Sequence, residues 1–349
     1  MHEQDDIVRG DRTQTPRHSA VLDGEDRVNE IYKNHKQLPK PLYPGQILHL
    51  EGFPLIKAVE VNPGHLVFCY VEPLPLDDDT VPLSMVWIPG GSFMMGSPNS
   101  EIDRAPWEGP QYRVTVPGFW MGRYPITQAQ WRMVARYPKR NQSLLVEPSL
   151  FNGDDLPVES VSWYESMEFC DRLFQQTNRR YQLPSEAEWE YACRAGTTTR
   201  FHFGNCITND LANYLGTAYR GRIQYCGIIK TAPVNHFGVS NAFGLCDMHG
   251  NVWEWCLDCW HDYEGAPTDG SARLGNLTPS GFNRRILVAG LGPTIPGSVG
   301  LPIASPTPLS EMTTISVFGW SSPPVRLYRL AGVRLTFAFV PSASSPILK

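Results

Sequence analysis

The chain has 349 residues, 30 Lys plus Arg against 35 Asp plus Glu, a formal charge of −5 and 42% hydrophobic residues. That is enough apolar material for one large core or two ordinary ones, and the mildly negative balance gives no reason to expect a nucleic-acid partner. With 31 Pro, 30 Gly, 10 Trp and only 19% charged residues, the composition excludes a helical bundle, a coiled coil or a long solenoid and predicts a loop-rich fold.

The opening Met1-His2-Glu3-Gln4-Asp5-Asp6 has neither the basic nor the apolar region of an export signal, so a cytoplasmic location is expected. No apolar run is long enough to span a bilayer, and no membrane partner is expected. Residues 1–84 form an N-terminal extension, polar and without clear period to about Pro44 and therefore expected to be partly disordered. From Ile47 to Val71 the pattern becomes strand-like, and the acidic, proline-containing stretch Pro73–Asp79 reads as a linker to the main domain. The central block, 85–287, contains three capping boxes that announce helices: Thr127 with Gln130, Ser162 with Glu165, and Ser185 with Glu188. Tyr164, Met167, Cys170, Leu173 and Phe174 recur at helical spacing and predict one buried face for the second helix. The third follows Pro184, buries Trp189 and Cys193, and should stop at Gly196. Beyond Gly196 the chain is rich in Gly, Asn, Asp and Thr, with short strand-like pieces. The fold class is α+β.

Residues 288–349 differ chemically: they contain no Asp, Asn, Gln, His or Cys, a single Glu (Glu311), nine Pro and nine Ser. Five polar residue types vanish at one boundary.

Several strings of the central block resemble the formylglycine-generating enzyme, or sulfatase-modifying factor, family. They are Met85-Val-Trp-Ile-Pro-Gly-Gly-Ser-Phe-Met-Met-Gly96, Val114-Thr-Val-Pro-Gly-Phe-Trp-Met-Gly122, Pro125-Ile-Thr-Gln-Ala-Gln-Trp131 and Pro157-Val-Glu-Ser-Val-Ser-Trp163. Tyr181-Gln-Leu-Pro-Ser-Glu-Ala-Glu-Trp-Glu-Tyr-Ala-Cys-Arg-Ala-Gly196 and Asn241-Ala-Phe-Gly-Leu-Cys-Asp-Met-His-Gly-Asn-Val-Trp-Glu-Trp255 continue them. The resemblance implies a C-type-lectin-like fold with little regular secondary structure. It also implies a closing segment of the form Arg-Gly-Gly-Ser-Trp, a Cys-containing Arg-Ser-Ala-Tyr-Arg stretch and Gly-Phe-Arg-Val-Val, none of which is present. Codons begun at the third base of the existing ones, from Leu287 onward, permit all three strings. Residues 288–349 are therefore expected to be an out-of-frame tail, poorly packed, in place of the domain's C-terminal segment.

The resemblance implies oxidation of a substrate cysteine at a copper held by two cysteine thiolates, ligands whose softness suits copper(I). No Cys follows Cys259, and even the alternative frame supplies one where the family's active members carry a pair. The expected copper ligands are missing and no catalytic residue is assigned. Calcium is the candidate ion: the resemblance implies that Asn251 and Glu254 supply side-chain oxygens and Val252 a carbonyl, with Asn213 in a second site whose acidic partner is absent from Arg222–Gly227. The competing reading has Asn251 capping a turn, Glu254 solvated and Trp253 and Trp255 in the core. Cys256-Leu-Asp-Cys259 has metal-ligand spacing without its other half, Cys170, Cys193 and Cys246 read as buried small side chains, and the histidines read as isolated loop residues. Gly90, Gly91 and Gly96 are turn glycines, because no Gly-Lys-Ser/Thr follows them. Three functions compete: a formylglycine-generating oxidase converting a sulfatase cysteine, a ligand- or protein-binding module like the variable proteins of diversity-generating retroelements, and a truncated product without function.

Overall fold

The computed structural model describes residues 38–288 apart from 39, 51–52, 102–103, 105, 215–229 and 276–284, together with four strand residues further on. Four strands build the first half of a seven-stranded sheet: β1 (Ile47–Leu48), β2 (Ile56–Asn62), β3 (His65–Leu76) and β4 (Asp79–Ile88). The expected linker at Pro73–Asp79 is instead the end of the β3–β4 hairpin, closed by a two-residue turn with Asp77 at φ 53°, a conformation Asp tolerates. Prolines misled the sequence reading here. Pro73 and Pro75 lie beyond the β2 pairing, which covers His65 to Cys69, so one edge of β3 is open there and the missing N–H costs no ladder bond. β4 runs without a break across the boundary expected after residue 84.

The sheet continues through β7 (Phe119–Gly122), β12 (Ala338–Phe339) and β8 (Tyr181–Gln182), in the order β1-β2-β3-β4-β7-β12-β8. A hairpin of β5 (Gly91–Met95) with β6 (Tyr112–Val116) and a three-stranded sheet of β10 (Arg285–Val288), β9 (Trp253–Cys259) and β11 (Val333–Arg334) complete the strands. β11 and β12 come from the tail that was expected to be poorly packed: β12 lies between β7 and β8, and β11 runs parallel to β9. The remainder of 289–349 lies outside the described residues.

The large sheet is covered on both faces, and period-two alternation decides which residue goes where. Leu83, Met85 and Trp87 of β4 join Trp120 of β7 in one core, whereas Val86, Ile88, Phe119 and Met121 join the other. Helices α1 (Gln128–Ala135) and α2 (Trp163–Thr177) pack into the first core and α3 (Glu186–Arg194) into the second. All three predicted capping boxes are present, each with its hydroxyl on the N3 amide and the Gln or Glu returning to the cap. α3 ends as expected, with Ala195 and Gly196 both left-handed. α2 keeps Met167, Cys170 and Leu173 of the expected face against the first core and departs from it at two positions. Tyr164 and Phe174 are exposed, and Ser166, Phe169, Cys170 and Leu173 are buried, together with Glu168 and Arg172. That charged pair is paid for by contacts no helical period reveals: the Glu168 carboxylate accepts the N–H groups of Arg140, Asn141 and Gln142, and Arg172 donates to the carbonyls of Ala135, Tyr137 and Gln142.

Candidate functional site

The turn that leads into β9 carries the residues singled out for calcium. Asn251 sits in the left-handed region at φ 66°, and the preceding Gly250, at φ 107°, is so close to Asn213 that a Cβ would meet its carbonyl oxygen at 2.3 Å. Only glycine fits there. The Asn251 N–H donates to the Asn213 carbonyl at 2.6 Å. Its side-chain amide pairs with the Ala232 peptide in both directions: Oδ1 accepts the Ala232 N–H at 2.8 Å, and Nδ2 donates to the Ala232 carbonyl at 3.0 Å. Oδ1 accepts a second bond from Asn213 Nδ2 at 3.2 Å, and Asn213 Nδ2 also reaches the Lys230 carbonyl at 3.0 Å.

The structure therefore brings Asn213 and Asn251 together, but as two amides that fasten three loops. An amide oxygen has two lone pairs, and both of those on Asn251 Oδ1 are engaged by N–H donors, so this side chain does not fit the role of calcium ligand. Val252 is buried next to it, and Glu254 is buried as well, 1% exposed, so the solvated reading of Glu254 fails. Trp255 enters the first core and Trp253 packs partly against it, as expected. Among the described residues, no group of three His, Cys, Asp or Glu is spaced to hold a metal ion.

The thiols are dispersed. Cys256 and Cys259 are both buried and unbonded, Cys170, Cys193 and Cys246 are buried, Cys69 is partly so, and Cys206 is the one exposed thiol among the described residues. Cys256 enters the second core, while Trp255 and Leu257 beside it enter the first. Burial pushes the Cys69 thiol up to about 11 and those of Cys170 and Cys256 well above the usual range, so none of these three is a ready thiolate.

The histidines are not isolated. His202 and His249 stack with centroids 4.9 Å apart, and the His202 N–H donates to His249 Nε2 at 3.0 Å. Cys193 Sγ lies 4.0 and 3.9 Å from the two ring nitrogens of His249. The Cys193 thiol also reaches the Met248 carbonyl at 3.8 Å. Burial lowers His202 to about 4, so the stack is uncharged on that ring at neutral pH.

A second polar cluster was missed by the sequence reading because its members are spread over α3, β9 and the loop after it. Glu186 is fully buried, and its N–H donates to Asp258 Oδ2 at 2.8 Å. Asp258 Oδ1 accepts the Arg273 N–H at 2.7 Å, and Tyr263 donates its hydroxyl to Glu186 Oε1 at 3.2 Å. His261 Nε2 is 4.0 Å from both Glu186 Oε2 and Asp258 Oδ1. Burial, then the neighbouring Asp258 and Glu190, hold Glu186 well above the carboxylate range; burial raises Asp258 to about 6 against the hydrogen bonds it accepts, and burial lowers His261. On the far side of β9, the Arg285 guanidinium lies 3.8 Å from the Trp163 ring centre, and Tyr164 meets that ring edge-on with two-thirds of its surface exposed.

A family model described as the sulfatase-modifying factor enzyme 1-like domain matches residues 75–290, beginning inside β3. The formylglycine-generating enzyme of Mus musculus is 30% identical, over 54% of this chain and 64% of its own length, so the chain spans less than two thirds of that relative. The inactive C-alpha-formylglycine-generating enzyme 2 of Bos taurus is 29% identical, over 54% of this chain and 73% of its own. Among solved structures, PvdO from Pseudomonas aeruginosa shares the fold with a TM-score of 0.55 at 24% identity, covering 86% of this chain and all of that one.

Proposed function

Because the chain belongs to the sulfatase-modifying factor enzyme 1-like family, with its α+β, C-type-lectin-like fold, we propose that it acts as a ligand- or protein-binding module of that family without cysteine-oxidising activity. The observation that supports this reading is the distribution of thiols. The resemblance implies a copper(I) held by two paired thiolates, soft ligands that suit that ion. No Cys follows Cys259 in the sequence, and every described thiol other than Cys206 is buried or partly buried. The residues present do not fit the metal that the resemblance implied. A relative named as inactive, at similar identity to the mouse enzyme, supports this reading.

The test is incubation of the full chain with copper(I), oxygen and a cysteine-containing sulfatase peptide, read by mass spectrometry. The peptide cysteine is expected to survive unchanged. Conversion to the aldehyde would restore the oxidase reading.

A truncated product is the second reading, favoured by the loss of Asp, Asn, Gln, His and Cys from 288–349. Sequencing the coding DNA across Arg285 to Gly292 decides it. One additional base there would return the family's closing segment, and an unchanged sequence would leave the broken frame as the gene's own.

A further inference from the structure

The Glu186 cluster has no part in the binding reading, and it contains an unexplained atom. Glu186 Oε2 is sealed from solvent and has no hydrogen-bond partner among the described residues. A carboxylate in that state, next to a second carboxylate, carries the full cost of an unpaired buried charge. Asp258 has no such need, since its two oxygens accept the N–H groups of Glu186 and Arg273. The histidine supplies the complement. His261 Nδ1 lies 2.8 Å from the Asp262 carbonyl oxygen. A carbonyl only accepts, so Nδ1 bears the hydrogen, and a neutral ring turns the lone pair of Nε2 toward the acidic pair. A proton on Glu186 Oε2 removes the buried charge and supplies a donor facing that lone pair, a small side-chain adjustment away at 4.0 Å.

We propose that Glu186 and His261 share one proton across the neutral range, and that this proton clamps the loop of residues 260–273 to the first turn of α3, the clamp loosening when alkaline pH removes it. The loop is also held by the Ser185 hydroxyl on the Gly270 carbonyl, the Tyr263 hydroxyl on Glu186 and the Thr115 N–H on the Thr268 carbonyl, so the shared proton adds one contact to an anchored loop. Tyr263 fills the space beside Gly96, where a Cβ would meet its ring at 2.9 Å, and lies 5.2 Å from Tyr112. The groups that face Glu186 are Glu190 on its own helix, Asp258 on β9, Tyr112 on β6, and His261 and Tyr263 on the loop, while Arg273 acts on Tyr112, His261 and Asp258. Arg285 acts on Asp258, and Glu190 is held by Arg194. Loss of the proton therefore leaves Glu186 and Asp258 both negative with no Lys or Arg among the described residues paired to Glu186.

The direction of the pH effect follows. A carboxyl whose folded value is raised holds its proton where the unfolded chain has released it, so its contribution is complete below the unfolded value and is lost as pH rises through the folded one. Asp258, raised to about 6, acts in the same sense between the ordinary carboxylate range and there. His261, lowered by burial, acts oppositely, costing stability as pH falls below its ordinary value.

The experiment compares melting temperature from about pH 5 to 9 for the full chain and for Glu186→Gln. Glutamine keeps an acceptor for Tyr263 and places a permanent donor where the shared proton would be. The variant is expected to match the parent at acid pH and to exceed it by roughly 3–6 °C at the alkaline end. Amide exchange over 258–275, corrected for intrinsic rate, should quicken at alkaline pH in the parent and not in the variant. Parallel melting curves for the two proteins would overturn the proposal. If the variant does not fold, infrared spectroscopy of the parent decides: a protonated-carboxyl band that persists through the fall in melting temperature and is lost where that fall levels off supports the shared proton, and a fall without such a band overturns it.

Discussion

Residue types near β9 were legible in the sequence, but their partners were not. Asn251 was marked by its place in a string shared with a known family, and it does hold a special position. What it does there depends on Ala232 and Asn213, 19 and 38 residues away. Two amides and one peptide satisfy one another, and both lone pairs of Asn251 Oδ1 are taken up by N–H donors. Asn251→Asp keeps the acceptor and deletes the donor to the Ala232 carbonyl, which is then opposed by a carboxylate oxygen. The expected loss is about 1–3 kcal/mol for a buried group left unsatisfied. The check is a thermal melt with calcium and with chelator. Added calcium should not recover the loss, whereas a calcium ligand changed from amide to carboxylate would bind the ion more tightly.

Among the elements, the helices were read with the least error because their signals are local. A hydroxyl and a carboxamide or carboxylate three residues apart meet whenever the first turn forms, and all three pairs do so. The caps are nevertheless unequal. Ser162 is at the surface, its hydroxyl shared only with Glu165. Ser185 is buried and also donates to the Gly270 carbonyl at 2.7 Å, tying α3 to the loop after β9. Ser162→Ala should cost about 1 kcal/mol and Ser185→Ala about 2 kcal/mol, the second including the lost bond to Gly270. Urea denaturation of the two variants measures the difference, and equal midpoints would show that the tertiary bond adds nothing. The face of α2 was misjudged at two positions for the complementary reason. Phe174 has the right spacing and the wrong neighbours, while Glu168 and Arg172 are buried because three backbone N–H groups and three carbonyls from the 135–142 stretch are waiting for them.

For the whole molecule, the decisive fact is that the sheet does not respect the boundary expected after residue 84. Ile56, Phe68, Tyr70, Leu74 and Leu83 belong to the same core as Trp120, Trp131 and Phe169. A chain beginning at Met85 loses these side chains together with half of the large sheet. Each large apolar residue removed from a core costs about 2–5 kcal/mol, and a domain's whole stability is about 5–15 kcal/mol. Such a fragment is expected to be unfolded or insoluble, and circular dichroism of the refolded material checks it; a cooperative melt would show two separable units. The sequence by itself determined what rests on neighbours in the chain: the α+β class, the three helix starts, the end of α3, the family and the missing cysteine pair. Tertiary structure alone decided that the extension is half of the main sheet, that Asn251 meets Ala232, and that Glu186 and Asp258 are buried together beside His261. Those outcomes depend on groups 19 to 75 residues apart, and no local periodicity encodes which distant donor will occupy a given acceptor or which buried charge will find its partner.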